Sequence, residues 1–191
     1  MRSVRPQALI DALEPRERKA FAGPVWRAVS DGRDPLVGYR SGGRWDDGTF
    51  DVLYTSLDRN GSIAETVYHL RRGQPVVPSK PPKRLYPIDV SLSQVLDLSS
   101  LDDLHQIGVD LSQFGRMTYA QRLTEYPSLQ EVAEVAHFLA FEAILVPSAR
   151  WQCQNLVIFT ERCSPSNLAV ASDGELLNLE AWYRANAVNL K

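Results

Sequence analysis

The stretch FDVLYTSLDRNGSIAETVYHLRR, residues 50–72, decides the fold around the most informative part of the chain. Residues 50–56 alternate in polarity and are rich in β-formers, so they predict a strand. The pair Asn60-Gly61 predicts a turn, and residues 62–72 predict a helix. Because the three elements follow one another closely, the end of the strand and the start of the helix can lie at the same edge of a binding cleft.

The sequence outward from this stretch predicts short strands and helices without a regular βαβ rhythm, which favours an α+β fold. The predicted strands are 25–30, 85–91, 95–99, 143–148, 155–159 and 167–171. Helices are predicted within 7–21, at 128–139 and at 177–186, and residues 100–125 mix helix and loop. No GxGxxG follows a strand and no GxxxxGK[ST] occurs, so the Rossmann and P-loop modes of nucleotide binding are absent.

The length of 191 residues suits one domain with a sizeable core. We assign residues 1–24 to an N-terminal helical extension and residues 25–191 to a single catalytic domain. Residues 75–84 contain four prolines and predict an exposed loop.

Composition limits the function classes. A formal net charge of −2 and a pI of about 5.9 argue against a broad nucleic-acid surface. No apolar run is long enough for a membrane span, and the charged N-terminal residues do not resemble a signal peptide. The two cysteines and three scattered histidines lack metal-ligand spacing, so no metal is predicted. We therefore expect a cytoplasmic protein with reduced thiols.

Glu65 has two compatible interpretations. In Ser62-Ile-Ala-Glu65 it fits the N3 position of a helix capping box, which is a structural role. A carboxylate in a first helical turn also stays ionised beside the positive end of the helix. Such a carboxylate suits stabilisation of an oxocarbenium-like ribosyl centre.

Arginines and aromatics precede Glu65. Arg44 follows two glycines, which permit close backbone approach, and its guanidinium can bind phosphate bidentately. Trp45 either shields a site or anchors the loop, and we favour the anchor. Tyr54 is either a core residue or the edge of a cleft, with a ring face for a base and a hydroxyl for a ribose. Arg27 lies in an apolar strand and needs an anionic partner: Glu65, another acid or a bound phosphate.

Ser148 and Asn155 come far downstream, each next to an apolar strand. No His/Asp arrangement points to Ser148 as a nucleophile, so a serine-hydrolase triad is rejected. We prefer Ser148 as a hydrogen-bond donor to a ligand, with a strand-end turn as the structural alternative. Asn155 is either a ligand contact or a backbone cap.

These residues in their order resemble the RES family, the toxin half of a bacterial toxin–antitoxin pair. The resemblance covers about residues 25–172 and is carried by Arg27, Gly43-Arg44-Trp45, Tyr54, Glu65, Pro147-Ser148 and Asn155. It implies a fold similar to that of ADP-ribosyltransferases, a split β core with surrounding helices. It also implies destruction of NAD by cleavage of the nicotinamide–ribose bond, through hydrolysis or phosphorolysis, with NAD as substrate and no cofactor.

The resemblance also implies individual roles. Arg44 resembles the NAD-binding arginine, Tyr54 the aromatic at the nicotinamide ribose, and Glu65 the carboxylate that steadies the ribosyl cation. Ser148 resembles a ribose or nicotinamide contact, and Arg27 a further arginine with a phosphate or structural role. Asn155 completes the expected NAD-binding set.

The same resemblance implies an antitoxin partner with a helix-turn-helix (Xre-like) domain that blocks the cleft. It leaves open whether the protein forms a homodimer. Two other functions are kept: an ADP-ribosyltransferase that modifies a specific cellular protein, and a catalytically silent binding module with the same fold.

Overall fold

The structure is a computed structural model that describes residues 6–71, 81–112, 114–116 and 121–190. It confirms the α+β prediction. The helices and strands are α1 (Gln7–Leu13), β1 (Arg18–Ser30), β2 (Val52–Ser56), α2 (Arg59–Arg71), β3 (Lys83–Asp97), α3 (Leu101–Gln106), α4 (Arg122–Phe138), β4 (Ala143–Pro147), β5 (Gln154–Phe159), β6 (Leu168–Val170), β7 (Glu175–Leu176) and α5 (Leu179–Asn186).

The strands form one sheet in the order β1-β2-β5-β4-β3-β6, with β7 also paired to β3. Strand β1 pairs antiparallel with β3 along nearly its whole length and also meets β2 at Trp26 and Ser56. The path β1-β2-β5-β4-β3 therefore returns to β1, and the sheet closes on itself. The pair β3–β4 is parallel, whereas the other pairings are antiparallel.

Strand β3 joins two strands that the sequence predicts separately, 85–91 and 95–99. Its register with β1 shifts between Lys19 and Phe21. At that irregularity the amides of Ser93 and Gln94 donate to Oε2 of Glu142, at 2.7 and 2.8 Å. The carboxylate supplies the acceptor that the ladder lacks there, so one strand continues through the bulge.

Helix α2 begins three residues earlier than predicted, and this makes the capping-box interpretation of Glu65 wrong. Oδ1 of Asp58 accepts the amide of Gly61 at 3.0 Å, which is the geometry of an N-cap aspartate. The predicted turn Asn60-Gly61 therefore lies inside the first helical turn. Glu65 lies in the second turn, beyond the unpaired amides of the helix start.

The N-terminal segment is only partly helical. Helix α1 ends at Leu13, and β1 begins at Arg18, so residues 18–24 belong to the sheet rather than to a helical extension. Of the predicted proline-rich loop 75–84, residues 75–80 lie outside the described part of the chain, and β3 begins at Lys83.

Three groups of buried apolar side chains hold these elements together. The first packs α1, α3 and α4 against the sheet, the second lies inside the closed sheet, and the third joins α2 to α5 and β3. The predicted helix 128–139 is confirmed as part of α4, with Val132, Val135 and Ala136 buried. Among the described residues, none of the helices has both the length and the apolar character needed to cross a membrane.

Candidate active site

A cavity of about 580 Å³ opens between β1, β2, α2 and the loop that precedes β2. Five of the six predicted site residues line it: Arg27, Arg44, Tyr54, Glu65 and Asn155. The sixth, Ser148, is 1% exposed and lies behind Glu65. Residues more than 100 positions apart in sequence thus meet at one place because β5 pairs with β2.

Glu65 is held by two neighbours at the wall of the cavity. Its Oε1 accepts hydrogen bonds from the Ser148 hydroxyl at 3.0 Å and from Nδ2 of Asn155 at 3.2 Å. Neither bond uses Oε2. The carboxylate is therefore oriented through one oxygen while the other is left for the cavity.

The hydroxyl of Ser148 is fully committed to this arrangement. Its oxygen accepts the amides of Arg150 and Trp151, each at 3.2 Å. A serine hydroxyl has one proton and two acceptor sites. With both acceptor sites occupied, its proton is directed to Glu65. Ser148 therefore has a different partner from the ligand expected from sequence, and it positions the carboxylate.

Asn155 contributes a polar atom that has no partner among the described residues. Its Nδ2 is bound to Glu65, and the buried Oδ1 has no hydrogen-bond donor. A buried acceptor without a donor is costly. Its position in the cavity wall makes it available to an N–H or O–H of a ligand.

The loop before β2 is organised by Asp46, which is fully buried. Its carboxylate accepts four hydrogen bonds, from the Ser41 hydroxyl, the amides of Gly42 and Gly43, and the Tyr54 hydroxyl, at 2.7 to 2.9 Å. One side chain thus fixes both the loop that presents Arg44 and the tyrosine of β2. The sequence does not reveal this role, because an aspartate in a glycine-rich loop ordinarily indicates only a turn.

Two glycines and a glutamine complete the loop. Gly42 has a φ of 62°, which favours glycine. A Cβ on Gly43 would lie 2.6 Å from the Tyr54 hydroxyl, so this position has no room for a side chain. From α4, Nε2 of Gln130 donates to the carbonyls of Gly43 and Asp46, at 2.7 and 3.0 Å.

Tyr54 presents its ring to the cavity, but its hydroxyl is engaged in the loop. The hydroxyl donates to Asp46 and accepts the amide of Trp45 at 2.9 Å. Burial, with the nearby Asp46 carboxylate, raises the pKa of Tyr54 well above its ordinary value. The residue therefore stays neutral. Trp45 is 2% exposed and packs in the core, which confirms the predicted anchor.

Arg44 is half-buried and lines the cavity. Its Cζ lies 5.3 Å from the ring centre of Phe114 and 5.4 Å from that of Tyr126. These are cation–π distances. The aromatic faces of Phe114 and Tyr126 therefore help to hold the guanidinium at the cavity.

In the described part of the chain, no carboxylate forms a hydrogen bond or ion pair with Arg27, so of the partners considered a bound phosphate stays a prediction. Its Nη1 donates to the carbonyls of Pro35 and Val37, at 2.7 and 2.9 Å, and its guanidinium lies over the Tyr39 ring. Burial lowers its pKa to about 10, so it is still charged at neutral pH. By donating to these carbonyls, Arg27 connects the 35–37 loop to β1. Arg27 also lines the cavity.

Arg150 and Tyr68 form a pair beside the cavity that residue types alone do not predict. The guanidinium of Arg150 lies 3.4 Å from the Tyr68 ring centre and donates to the Gly115 carbonyl. Burial lowers the pKa of Arg150, and Glu65 opposes part of that effect. One signal was available: Tyr68 follows Glu65 by three residues and so shares its helix face.

The charges of the cavity differ from those of the whole protein. The net charge of the chain is −2. Among the described residues that line the cavity, Arg27, Arg33, Arg44 and Lys83 are basic, and Glu65 is the only acid. The cavity therefore suits an anion that carries one local positive centre. In the described part of the chain, no group of three or more potential ligands could hold a metal ion.

Comparisons with known proteins agree with this architecture. No curated protein matches the sequence. A solved structure, the MbcT-MbcA toxin-antitoxin complex of M. tuberculosis, contains a chain with a TM-score of 0.78 and 22% identity. The match covers 95% of this chain and 98% of that chain, and at this identity it shows a shared fold. The family model of the RES domain matches residues 24–178. Because that match spans most of the sequence, the chain belongs to the RES domain family.

Proposed function

We propose that this protein is a toxin that destroys NAD by cleaving the bond between nicotinamide and ribose. The observation that carries the proposal is the charge pattern of the cavity, in which Glu65 is the only acid among the described lining residues and the other charges are basic. NAD matches this pattern, since it has an anionic diphosphate and a positive nicotinamide ring. The diphosphate would lie toward Arg44, and the nicotinamide ribose beside Glu65.

The reaction requires little from the protein beyond electrostatics. The bond between the nicotinamide nitrogen and the ribose carbon breaks, and its electron pair leaves with the nitrogen, so nicotinamide departs neutral. The ribose carbon becomes cationic, and Oε2 of Glu65 stabilises that charge. A water molecule attacks this carbon and releases a proton, or phosphate takes the place of water. Fixed charges aimed at a developing charge lower the barrier by several kcal/mol.

Ser148 and Asn155 support the carboxylate in this scheme. They bind Oε1 of Glu65, and neither of these bonds uses Oε2. The unpartnered Oδ1 of Asn155 accepts from an N–H or O–H of the dinucleotide. Tyr54 contributes a neutral ring face at the ribose, because its hydroxyl is already bound within the loop.

The partner belongs to the same proposal. An enzyme that destroys NAD in the cytoplasm harms its own cell unless a dedicated inhibitor covers the cleft. We infer that a small antitoxin with a helix-turn-helix domain, of the Xre type, has that role. The similar chain belongs to the MbcT-MbcA toxin-antitoxin complex, which supports an antitoxin partner. The helix-turn-helix type rests on the family resemblance alone.

The test is to incubate purified protein with NAD carrying a label in its ADP-ribose half, with and without a bacterial protein extract, and to follow nicotinamide and labelled protein. Wild type should release nicotinamide in both arms. Glu65→Gln should lower kcat by about 10² to 10³-fold. This variant should fold, because the glutamine oxygen can still accept the bonds of Ser148 and Asn155.

Other results of this experiment would favour one of the two alternative functions, the ADP-ribosyltransferase or the silent binding module. Label on a protein of the extract would indicate ADP-ribosyl transfer to that protein. Absence of nicotinamide release from folded wild type in both arms would leave the silent binding module. If folded Glu65→Gln cleaves NAD as fast as wild type does, Glu65 is not a catalytic residue.

A further inference from the structure

A second basic group lies at the end of the cavity away from Glu65. Lys83 opens β3 and pairs with Ser30, the last residue of β1. Its ammonium group donates to the Ser30 hydroxyl at 3.0 Å. Both residues line the same cavity as Glu65, so a ligand in the cavity can reach them.

Arg33 joins this group through a tight turn after β1. The amide of Arg33 donates to the Ser30 carbonyl at 3.0 Å, and Gly32 between them has a φ of 80°. Arg33 also lines the cavity. Burial and the charge of Arg33 both lower the pKa of Lys83. Two cations therefore share one end of the cavity at an electrostatic cost that a bound anion would relieve.

The two acids nearest to Arg33 in sequence, Asp31 and Asp34, form hydrogen bonds with other residues. Oδ1 of Asp31 accepts from Nε of Arg84 at 2.7 Å. Oδ1 of Asp34 accepts the amide of Leu36 at 2.8 Å. Neither acid lines the cavity. The described lining residues at this end thus present Lys83 and Arg33 without an opposing carboxylate.

The distance from the carboxylate limits what an anion there can do. Glu65 binds Asn155, which pairs with Ser56, and Ser56 pairs with Trp26 of β1. Ser30 is four residues farther along the strand, about 13 Å at the ordinary rise per residue. A phosphate at Lys83 is therefore too far from the ribosyl carbon to attack it, but it can belong to a ligand that extends from Glu65.

We propose that Lys83, Arg33 and Ser30 form a second anion subsite that binds a phosphate dianion. This proposal rests on the proposed function, which gives the pose of the dinucleotide. With nicotinamide at Glu65 and the diphosphate near Arg44, the adenosine half extends toward Ser30 at the C-terminal end of β1. A dinucleotide with a phosphate on the adenosine ribose, as in NADP, supplies such a group. Free inorganic phosphate has the same chemistry and is the other source.

The experiment measures dissociation constants of NAD, NADP and inorganic phosphate by calorimetry, in a Glu65→Gln background to prevent turnover. NADP should bind about tenfold more tightly than NAD, as expected for a hydrogen-bonded ion pair. Lys83→Gln should remove that difference and bring the dissociation constants of NADP and NAD to within twofold of each other. Lys19→Gln is the matched control, because Lys19 is an exposed lysine of β1 that pairs with Asp97 outside the cavity.

The arms of the experiment separate the two phosphate sources. If inorganic phosphate weakens NADP binding but not NAD binding, the subsite takes the phosphate of the dinucleotide. If NADP has no advantage but inorganic phosphate binds in a Lys83-dependent manner, the subsite takes free phosphate. Equal binding of both dinucleotides together with no Lys83-dependent phosphate binding would overturn the subsite.

Failure of the proposed function gives a different result. If neither dinucleotide binds in the Glu65→Gln background and wild type releases no nicotinamide from NAD, the NAD assignment fails. The phosphate titration alone then tests the subsite. Lys83-dependent phosphate binding would then support it, and its absence would overturn it. Thermal melting of Lys83→Gln verifies that the variant is folded before either conclusion is drawn.

Discussion

At the scale of a residue, the hydrogen bond that the Ser148 hydroxyl donates to Glu65 can be tested by mutation. Ser148→Ala removes a hydrogen bond to the Glu65 carboxylate and leaves the amides of Arg150 and Trp151 without their acceptor. We expect a stability loss of about 2 kcal/mol, which lowers Tm by roughly 4–8 °C. We also expect kcat for NAD cleavage to fall by roughly tenfold or more, because Glu65 is less well positioned.

Ser164→Ala is the control for this serine, since Ser164 is exposed and binds only its local turn. It should leave kcat unchanged and lower Tm by no more than the loss of a local helix cap does. If Ser148→Ala loses stability but keeps kcat, Ser148 has a structural role alone.

Arg44 allows a second prediction at this scale. Arg44→Ala should raise the KM for NAD by about tenfold and change kcat less, because a diphosphate contact remote from the breaking bond acts as uniform binding. Arg44→Lys should not restore full affinity, since an ammonium group lacks the two-pronged geometry of arginine. Steady-state kinetics and NAD titration measure both effects. Arg40→Ala is the control, because Arg40 pairs with Asp51 and Glu161 outside the cavity.

Unchanged NAD affinity in Arg44→Ala would show that Arg44 has a structural role and does not bind the diphosphate. The same arginine shows what residue types alone can predict. Its place in the cavity followed from glycines and a tryptophan beside it. The role of Asp46 did not follow, because it depends on a tyrosine that the fold brings from β2.

At the scale of an element, the loop 41–46 depends on the absence of a side chain at Gly43. A Cβ there would lie 2.6 Å from the Tyr54 hydroxyl and 3.0 Å from Oδ2 of Asp46. We expect Gly43→Ala to push the loop away, to displace Arg44 and to raise KM for NAD severalfold, with a Tm loss of a few degrees.

Gly48→Ala separates these effects. Gly48 has a φ of 85° and open space where a Cβ would be placed, so alanine costs conformational energy without touching the cavity. It should lower Tm and leave KM unchanged. An unchanged KM in Gly43→Ala as well would mean that the loop tolerates the added methyl group.

The elements themselves were predicted unevenly from sequence, and the reasons are physical. Strand β5 and helix α4 were found because their apolar patterns are long and regular. Strand β3 was divided in two because the acceptor for Ser93 and Gln94 is Glu142, about 49 positions away. The start of α2 was misplaced because Ser62 and Asp58 are both good N-caps, and only the structure distinguishes them.

At the scale of the whole molecule, the proposed toxin activity predicts a phenotype. Expression of this chain alone in a bacterium should arrest growth and deplete NAD, and co-expression of the antitoxin should prevent both. Glu65→Gln should relieve toxicity while the complex still forms, because the surface of the cleft is retained. Growth curves, NAD extraction and co-purification measure the three effects. Normal growth with undiminished NAD, from folded soluble protein, would contradict the toxin proposal.

Sequence predicted the fold class and most of the site but not the closure of the sheet. Closure depends on pairing between β1 and β3, which are separated by some 65 positions, and no local pattern encodes such pairing. The same limit explains Ser148. Its residue type suggested a ligand contact, whereas its partner Glu65 lies 83 positions away in sequence.

The central place of β5 has a consequence for synthesis on the ribosome. This strand joins β2 to β4 and carries Asn155, yet it follows β1, β2, β3 and β4 in the chain and is translated after them. At the usual rate of 5–20 residues per second, several seconds or more separate the synthesis of β1 from that of β5. We expect a nascent chain to be harmless during that interval, so that toxicity arises only once β5 has been translated. Fragments released before residue 154 should leave cellular NAD intact, which a series of truncated reading frames can test.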